Sequence, residues 1–165
     1  MAPALFRFDS SAAVADWSAI DDRVMGGISR SHLRHDVRGW AVFEGKVSLE
    51  RNGGFASVRS SPRAFQLAGV SAFWLEVKGD GKRYKLNLRT DDAFDGVNYQ
   101  AVFAPPAGQW LEVELPLTAF QATRRGRVLG AAEPLNPALL RQVGLMIAEQ
   151  QSGPFSLVVR AIGAR

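Results

Sequence analysis

The chain has 165 residues, 47% of them apolar, which is material for an ordinary core and leads us to expect a single domain over 1–165. The absence of cysteine excludes disulfides, thiolate catalysis and cysteine-ligated zinc or iron–sulfur sites. Net charge is +4, with sixteen arginines to four lysines, but the arginines are dispersed apart from Arg124-Arg125-Gly126-Arg127 and no aromatics are interleaved with them, so no nucleic-acid partner is expected.

Taken in chain order, the start Met1-Ala2-Pro3-Ala4-Leu5-Phe6-Arg7 has neither the charged leader nor the long apolar stretch of a signal peptide. No apolar run reaches the ~18 residues of a membrane span, so a cytoplasmic protein is expected. Ser10 or Ser11 is placed to cap a short turn through Asp16. Asp21-Asp22-Arg23-Val24-Met25-Gly26-Gly27-Ile28-Ser29 follows, with an echo at Asn52-Gly53-Gly54-Phe55. Paired glycines mark turns, bulges or close backbone approach, because glycine loses the most conformational freedom on folding. From residue 40 onward a period of two dominates. Phe43, Gly45, Val47 and Leu49 alternate with polar residues, as do Phe73, Leu75 and Val77, then Tyr84, Leu86 and Leu88. Gly79-Asp80-Gly81-Lys82 between the last two runs predicts a hairpin that sets Glu76 opposite Lys85 and Trp74 opposite Asn87. Leu111, Val113 and Leu115 form a further strand ended by Pro116, and Asn136-Pro137 has the order of a helix start. Val143-Gly144-Leu145-Met146-Ile147 is apolar in both parities, which predicts a strand covered on both faces. Phe155, Leu157 and Val159 close the chain. The pattern is all-β: a jelly-roll β-sandwich of about ten strands with one or two short helices.

Chemistry-bearing constellations are sparse. There is no nucleophile elbow, and the two histidines, His32 and His35, fall on opposite faces of a strand and read as exposed and inert. Asp21 and Asp22 diverge in an extended segment, so Asp22 with Arg23 is read first as an anchor for the glycine loop and second as a ligand contact. Asp91-Asp92-Ala93-Phe94-Asp95-Gly96 fails the EF-hand pattern at Ala93 and Val102 and reads as a hairpin turn without metal. No catalytic residue, metal set or cofactor is expected, and the chain is read as no enzyme. Strand parity does assemble one polar face. Trp74, Lys85, Asn87, Arg89 and Trp110 fall together, Asn98 and Gln100 join them from the next strand, and Arg59 follows the second glycine pair. Amides, arginines and tryptophans on one sheet face suit a sugar or a polar protein surface.

Asp22-Arg23-Val24-Met25-Gly26-Gly27-Ile28-Ser29, Phe43-x-Gly45 and Asn52-Gly53-Gly54-Phe55-Ala56-Ser57-Val58-Arg59 resemble successive blocks of the complex I intermediate-associated protein family. Gly79-Asp80-Gly81-Lys82-Arg83-Tyr84, Tyr99, Trp110, Pro116 and Gly144-Leu145-Met146-Ile147 follow in that family's order, so the resemblance covers nearly the whole chain. It implies a galactose-binding-domain-like jelly roll and a non-enzymatic assembly factor that holds a protein partner, a respiratory-complex subunit or intermediate, through the polar face and the Gly-Gly loops. The arginine-rich, cysteine-free composition is read as that of a bacterial single-domain member. The alternative reading is a carbohydrate-binding module of the same fold, with a sugar as ligand.

Overall fold

The computed structural model describes residues 4–22, 26–51, 53–93 and 96–165. Arg23, Val24 and Met25 of the first glycine motif, Asn52 of the second, and Phe94 and Asp95 of the acidic loop lie outside the described residues. Thirteen strands form among those described: β1 (Ala4–Arg7), β2 (Trp17–Ala19), β3 (Arg30–Asp36), β4 (Trp40–Val47), β5 (Ala56–Ser60), β6 (Ala72–Lys78), β7 (Tyr84–Arg89), β8 (Asn98–Phe103), β9 (Trp110–Pro116), β10 (Gln121–Arg124), β11 (Arg127–Val128), β12 (Gln142–Ile147) and β13 (Gly153–Ala164). Among the described residues helix is confined to short 3-10 turns, including Ser11–Val14 and Pro137–Leu139. Asn136 caps the second, its side-chain oxygen accepting the Ala138 N–H at 3.1 Å, as the Asn-Pro order predicts.

Two antiparallel sheets result. The first runs β3-β4-β13-β6-β9 with β1 on β13, and the second runs β11-β10-β8-β7-β12-β5-β2. Their inner faces share one apolar cluster: Phe43, Phe73, Leu75, Val77, Leu157 and Ile162 from the first meet Val58, Tyr84, Leu86, Leu88, Val143, Leu145 and Ile147 from the second. The period-two runs of the sequence supply these residues, because alternate side chains of a strand fall on one face. Phe43, Tyr84 and Phe155 meet edge to face or tilted, with centroids 4.9–6.3 Å apart, as favoured by aromatic quadrupoles.

The predicted hairpin at 79–82 does not form. β6 and β7 belong to different sheets, so Glu76 sits opposite Glu112 and Ala161 rather than Lys85, and Trp74 opposite Glu114 and Gly163 rather than Asn87. Asp80 explains the turn's other use. Its carboxylate accepts the Tyr84 hydroxyl at 3.0 Å and the Ser156 N–H at 2.8 Å, tying the crossover to β13 instead of folding β7 back onto β6. Burial and the adjacent Asp80 charge push the Tyr84 phenol up, so it stays a neutral donor. The strand at 142–147 is also not covered on both faces: Val143, Leu145 and Ile147 enter the core, whereas Gly144 and Met146 look outward into a cleft.

Candidate functional site

The outer face of the second sheet carries that cleft, of roughly 750 Å³. It is built from four adjacent strands in register. Arg59 on β5 lies opposite Gly144 on β12, Gly144 opposite Asn87 on β7, and Asn87 opposite Gln100 on β8. One row along, Ser57, Met146 and Lys85 are paired in the same order, and on the other side Gln142 pairs with Arg89. Asn98 is paired with Thr123 of β10. Gly144 keeps the centre of the floor free of a side chain, and a Cβ there would lie 3.0 Å from the Val58 carbonyl oxygen and 3.5 Å from Cβ of both Arg59 and Asn87. A gap without a side chain therefore separates the Arg59 and Asn87 side chains.

Met146 organises the amides. Its thioether sulfur accepts from Asn87 Nδ2 at 3.8 Å and from Gln100 Nε2 at 3.6 Å, while Gln100 Oε1 accepts from Lys85 Nζ at 3.4 Å. With its amino group turned to sulfur, Asn87 is left with a buried Oδ1 that has no partner, and Asn98 Oδ1 is in the same state. Both residues are more than nine-tenths buried, at 8% and 6% exposure. A buried polar atom without a hydrogen bond costs roughly 1–3 kcal/mol, and these two acceptors belong to residues that line one cleft.

The cleft is also basic. Arg59, Lys85, Arg89 and Arg125 line it against one carboxylate, Glu149, among the described residues, and Glu149 itself pairs with Arg83 at 2.7 Å. Burial, and after it the charge of Arg89, pushes the Arg59 guanidinium down to about 10, still protonated at neutral pH. Arg125 belongs to the arginine cluster Arg124-Arg125-Gly126-Arg127. That cluster forms the β10–β11 turn, which carries Arg125 and Gly126 to the cleft.

Of the residues singled out from sequence, Arg59, Lys85, Asn87, Arg89, Asn98 and Gln100 come together here. Trp74 and Trp110 do not, because both stand on the first sheet. Trp74 is 5% exposed and covers Gly163, where a Cβ would come within 2.3 Å of the indole. Trp110 meets Trp40 at 5.3 Å, and the Arg160 guanidinium lies 4.1 Å over its ring. Arg23 lies outside the described residues. Sequence reasoning missed Ser57, Thr123, Arg125, Gln142, Gly144 and Met146. The alternation Gln142-x-Gly144-x-Met146 against Val143, Leu145 and Ile147 was the available signal for three of them.

Asp22 is fully buried beneath the glycine loops, away from the cleft. One oxygen accepts the Ser29 N–H at 2.8 Å; the other accepts the Ser29 hydroxyl, the Gly54 N–H at 2.8 Å and the Phe55 N–H at 3.4 Å. The two glycine pairs are walls of this one nest: a Cβ on Gly27 would come within 2.5 Å of the Asp22 carboxylate, and one on Gly53 within 2.4 Å of the Ser48 carbonyl oxygen. Asp21 beside it accepts from Ser31 N at 3.0 Å, Ser31 Oγ at 2.6 Å and Ser57 N at 3.0 Å. Burial pushes its carboxyl up despite those hydrogen bonds. Phe55 and Ser57, held this way, line the end of the cleft. His32 is exposed and bonded to Glu44 at 3.0 Å, whereas His35 is half-buried rather than exposed.

The profile of the family described as "Complex I intermediate-associated protein 30 (CIA30)" matches residues 6–159. The chain belongs to the complex I intermediate-associated protein 30 family. Among similar proteins, the mitochondrial complex I intermediate-associated protein 30 of Mus musculus is 25% identical over 96% of this chain and 55% of its own length, and an uncharacterized Schizosaccharomyces pombe protein is 30% identical over 90% and 77%. The chain thus spans about half of the mouse protein. Among solved structures, the family 11 carbohydrate-binding module of a cellulosomal cellulase of Clostridium thermocellum superposes with TM-score 0.73 at 12% identity, over 99% of this chain and 94% of that one. The same kind of module in complex with a β-1,3-1,4-mixed-linked tetrasaccharide gives 0.69 at 16%, over 98% and 93%. These likenesses place the fold, a galactose-binding-like jelly roll; the alternation of the sequence predicts the jelly roll, and the family resemblance implies its galactose-binding-like form.

Proposed function

We propose that this member of the complex I intermediate-associated protein 30 family is a non-enzymatic assembly module that holds a protein partner in the cleft on the second sheet. The observation that carries this is the pair of buried, unpartnered oxygens on Asn87 and Asn98 within a basic, preformed cleft. The partner in this reading is a respiratory-complex subunit or intermediate, and the glycine loops contribute by fixing Phe55 and Ser57 at the cleft's end. No helix among the described residues is long and apolar enough to cross a membrane. The mouse relative is named as mitochondrial, so a cytoplasmic location for this chain, acting as one domain, belongs to the proposal.

The sugar alternative rested on the jelly-roll fold and on tryptophans, amides and arginines of one face, and it loses the tryptophans to the first sheet. Among the described residues, Phe55 is the sole aromatic lining the cleft, which leaves little to stack against a pyranose face. The test is genetic. Source cells lacking the gene should accumulate incomplete complex I on native gels. Wild-type protein and Trp110→Ala should restore the full complex, and Arg89→Gln should not. Full complex I without the gene, or full rescue by a folded Arg89→Gln protein, would overturn the reading.

A further inference from the structure

The cleft's polar groups specify more than a generic partner. Asn87 and Asn98 offer acceptors without donors, and the basic side chains around them offer donors and positive charge. An occupant must therefore bring N–H or O–H groups and a negative charge together. The spacing narrows it further. Asn87 pairs with Gln100, so Asn98, two residues before Gln100 on β8, is its diagonal neighbour across the ladder. Diagonal neighbours lie about 7–8 Å apart. An extended chain repeats its same-side groups every second residue, at about 6.8 Å, which matches. Gly144, between Arg59 and Asn87, lets a main chain descend to the floor. Lys85, Asn87 and Arg89 stand in line along β7 on the same face, so cation, amide and cation recur at the period of an extended ligand.

Resting on the reading that this cleft holds a protein partner, we infer that it takes an extended acidic peptide segment, with main-chain N–H groups on Asn87 Oδ1 and Asn98 Oδ1 and carboxylates within reach of Arg59 and Arg89. Among the described residues, Arg59, Lys85, Arg89 and Arg125 line the cleft against Glu149, and complementarity to that balance selects an acidic segment.

The experiment is a titration of the ¹⁵N-labelled full chain with an acetylated, amidated hexapeptide alternating Glu and Ser, followed by side-chain amide resonances. The Asn87 and Asn98 amides should shift and the affinity should fall with added salt. Arg89→Gln should weaken binding by about thirty-fold, the lower end for removing one side of a buried charge contact. Should Arg89→Gln fail to fold, Lys85→Gln serves in its place with a smaller loss. A Gln–Ser hexapeptide that binds equally well overturns the charge requirement. Trigalacturonate binding more tightly at the same resonances overturns the peptide class in favour of an acidic saccharide, and inorganic phosphate reproducing the shifts reduces the site to a simple anion. If no peptide binds while Arg89→Gln still fails to rescue complex I, the peptide chemistry falls and the partner reading stands. If the peptide binds but Arg89→Gln rescues fully, the partner reading falls instead.

Discussion

Asp22 does its work without touching solvent, and its surroundings decide what replacing it does. Four donors converge on two oxygens: the main-chain N–H groups of Ser29, Gly54 and Phe55, and the Ser29 hydroxyl. An amide in place of the carboxylate turns an N–H₂ toward N–H groups that have nowhere else to go. Each stranded buried donor costs roughly 1–3 kcal/mol. Asp22→Asn is therefore expected to lose about 3–5 kcal/mol of unfolding free energy, nearly as much as Asp22→Ala, measured as a lower urea midpoint. A loss below about 1 kcal/mol would mean the loops find other partners. The anchoring role was legible because Asp22 sits beside a glycine pair. The second glycine pair, thirty residues on, was not legible as the other wall of the same nest, since only folding brings Gly53 against Asp22 Oδ2.

Between elements, the turn from β3 to β4 shows how a local sequence sets a pH response. Asp36 accepts the Arg38 N–H at 2.9 Å, Arg38 Nε at 3.0 Å and Nη2 at 2.8 Å, with Arg34 Nη1 at 3.7 Å. The Arg38 guanidinium first, then the Arg38 N–H, hold the Asp36 carboxyl far below its ordinary value of 3.8. A depressed carboxyl binds fewer protons folded than unfolded, so its stabilisation is full above 3.8 and fades as pH falls through the folded value. Glu44, held down by Arg34, adds a slope of the same sign, and Asp21, pushed up by burial, one of the opposite sign. Comparing wild type with Asp36→Asn cancels the last two. The variant is expected to be less stable at neutral pH, and the gap should close below pH 3.8; a gap independent of pH would remove the charge argument. Turns of this kind are readable from sequence when they join neighbouring strands, as the Asp91 loop joins β7 to β8. The Asp80-Gly81 turn misled because the dipeptide specifies a reversal but not which sheet receives the next strand. Trp74 and Trp110 were assigned to the wrong face through that one step, whereas Lys85, Asn87 and Arg89 needed only their own strand's parity.

At the scale of the whole molecule, the two sheets divide the chromophores from the cleft. None of the four tryptophans lines it. Trp17 is buried against Phe6 and Phe8, at 5.0 and 5.8 Å, and Trp74 is covered at 5% exposure. Trp40 and Trp110 are half-buried on the outer face of the first sheet, with Arg38, Lys78 and Arg160 over their rings. This separation turns intrinsic fluorescence into a locator. A ligand seated among Arg59, Asn87 and Asn98 is on the far side of the core from the Trp40–Trp110 pair, so saturating acidic peptide should leave the emission maximum and intensity unchanged while the Asn87 and Asn98 amides shift. A sugar or partner surface that used the tryptophans would displace a cation from their rings or exclude water from them, and would quench or blue-shift the emission. The control is Trp110→Phe, which lies outside the cleft and should bind the peptide as wild type does. Quenching by the peptide that disappears in Trp110→Phe would move the site to the first sheet, because the packed core shared by both sheets lies between that ring and the cleft.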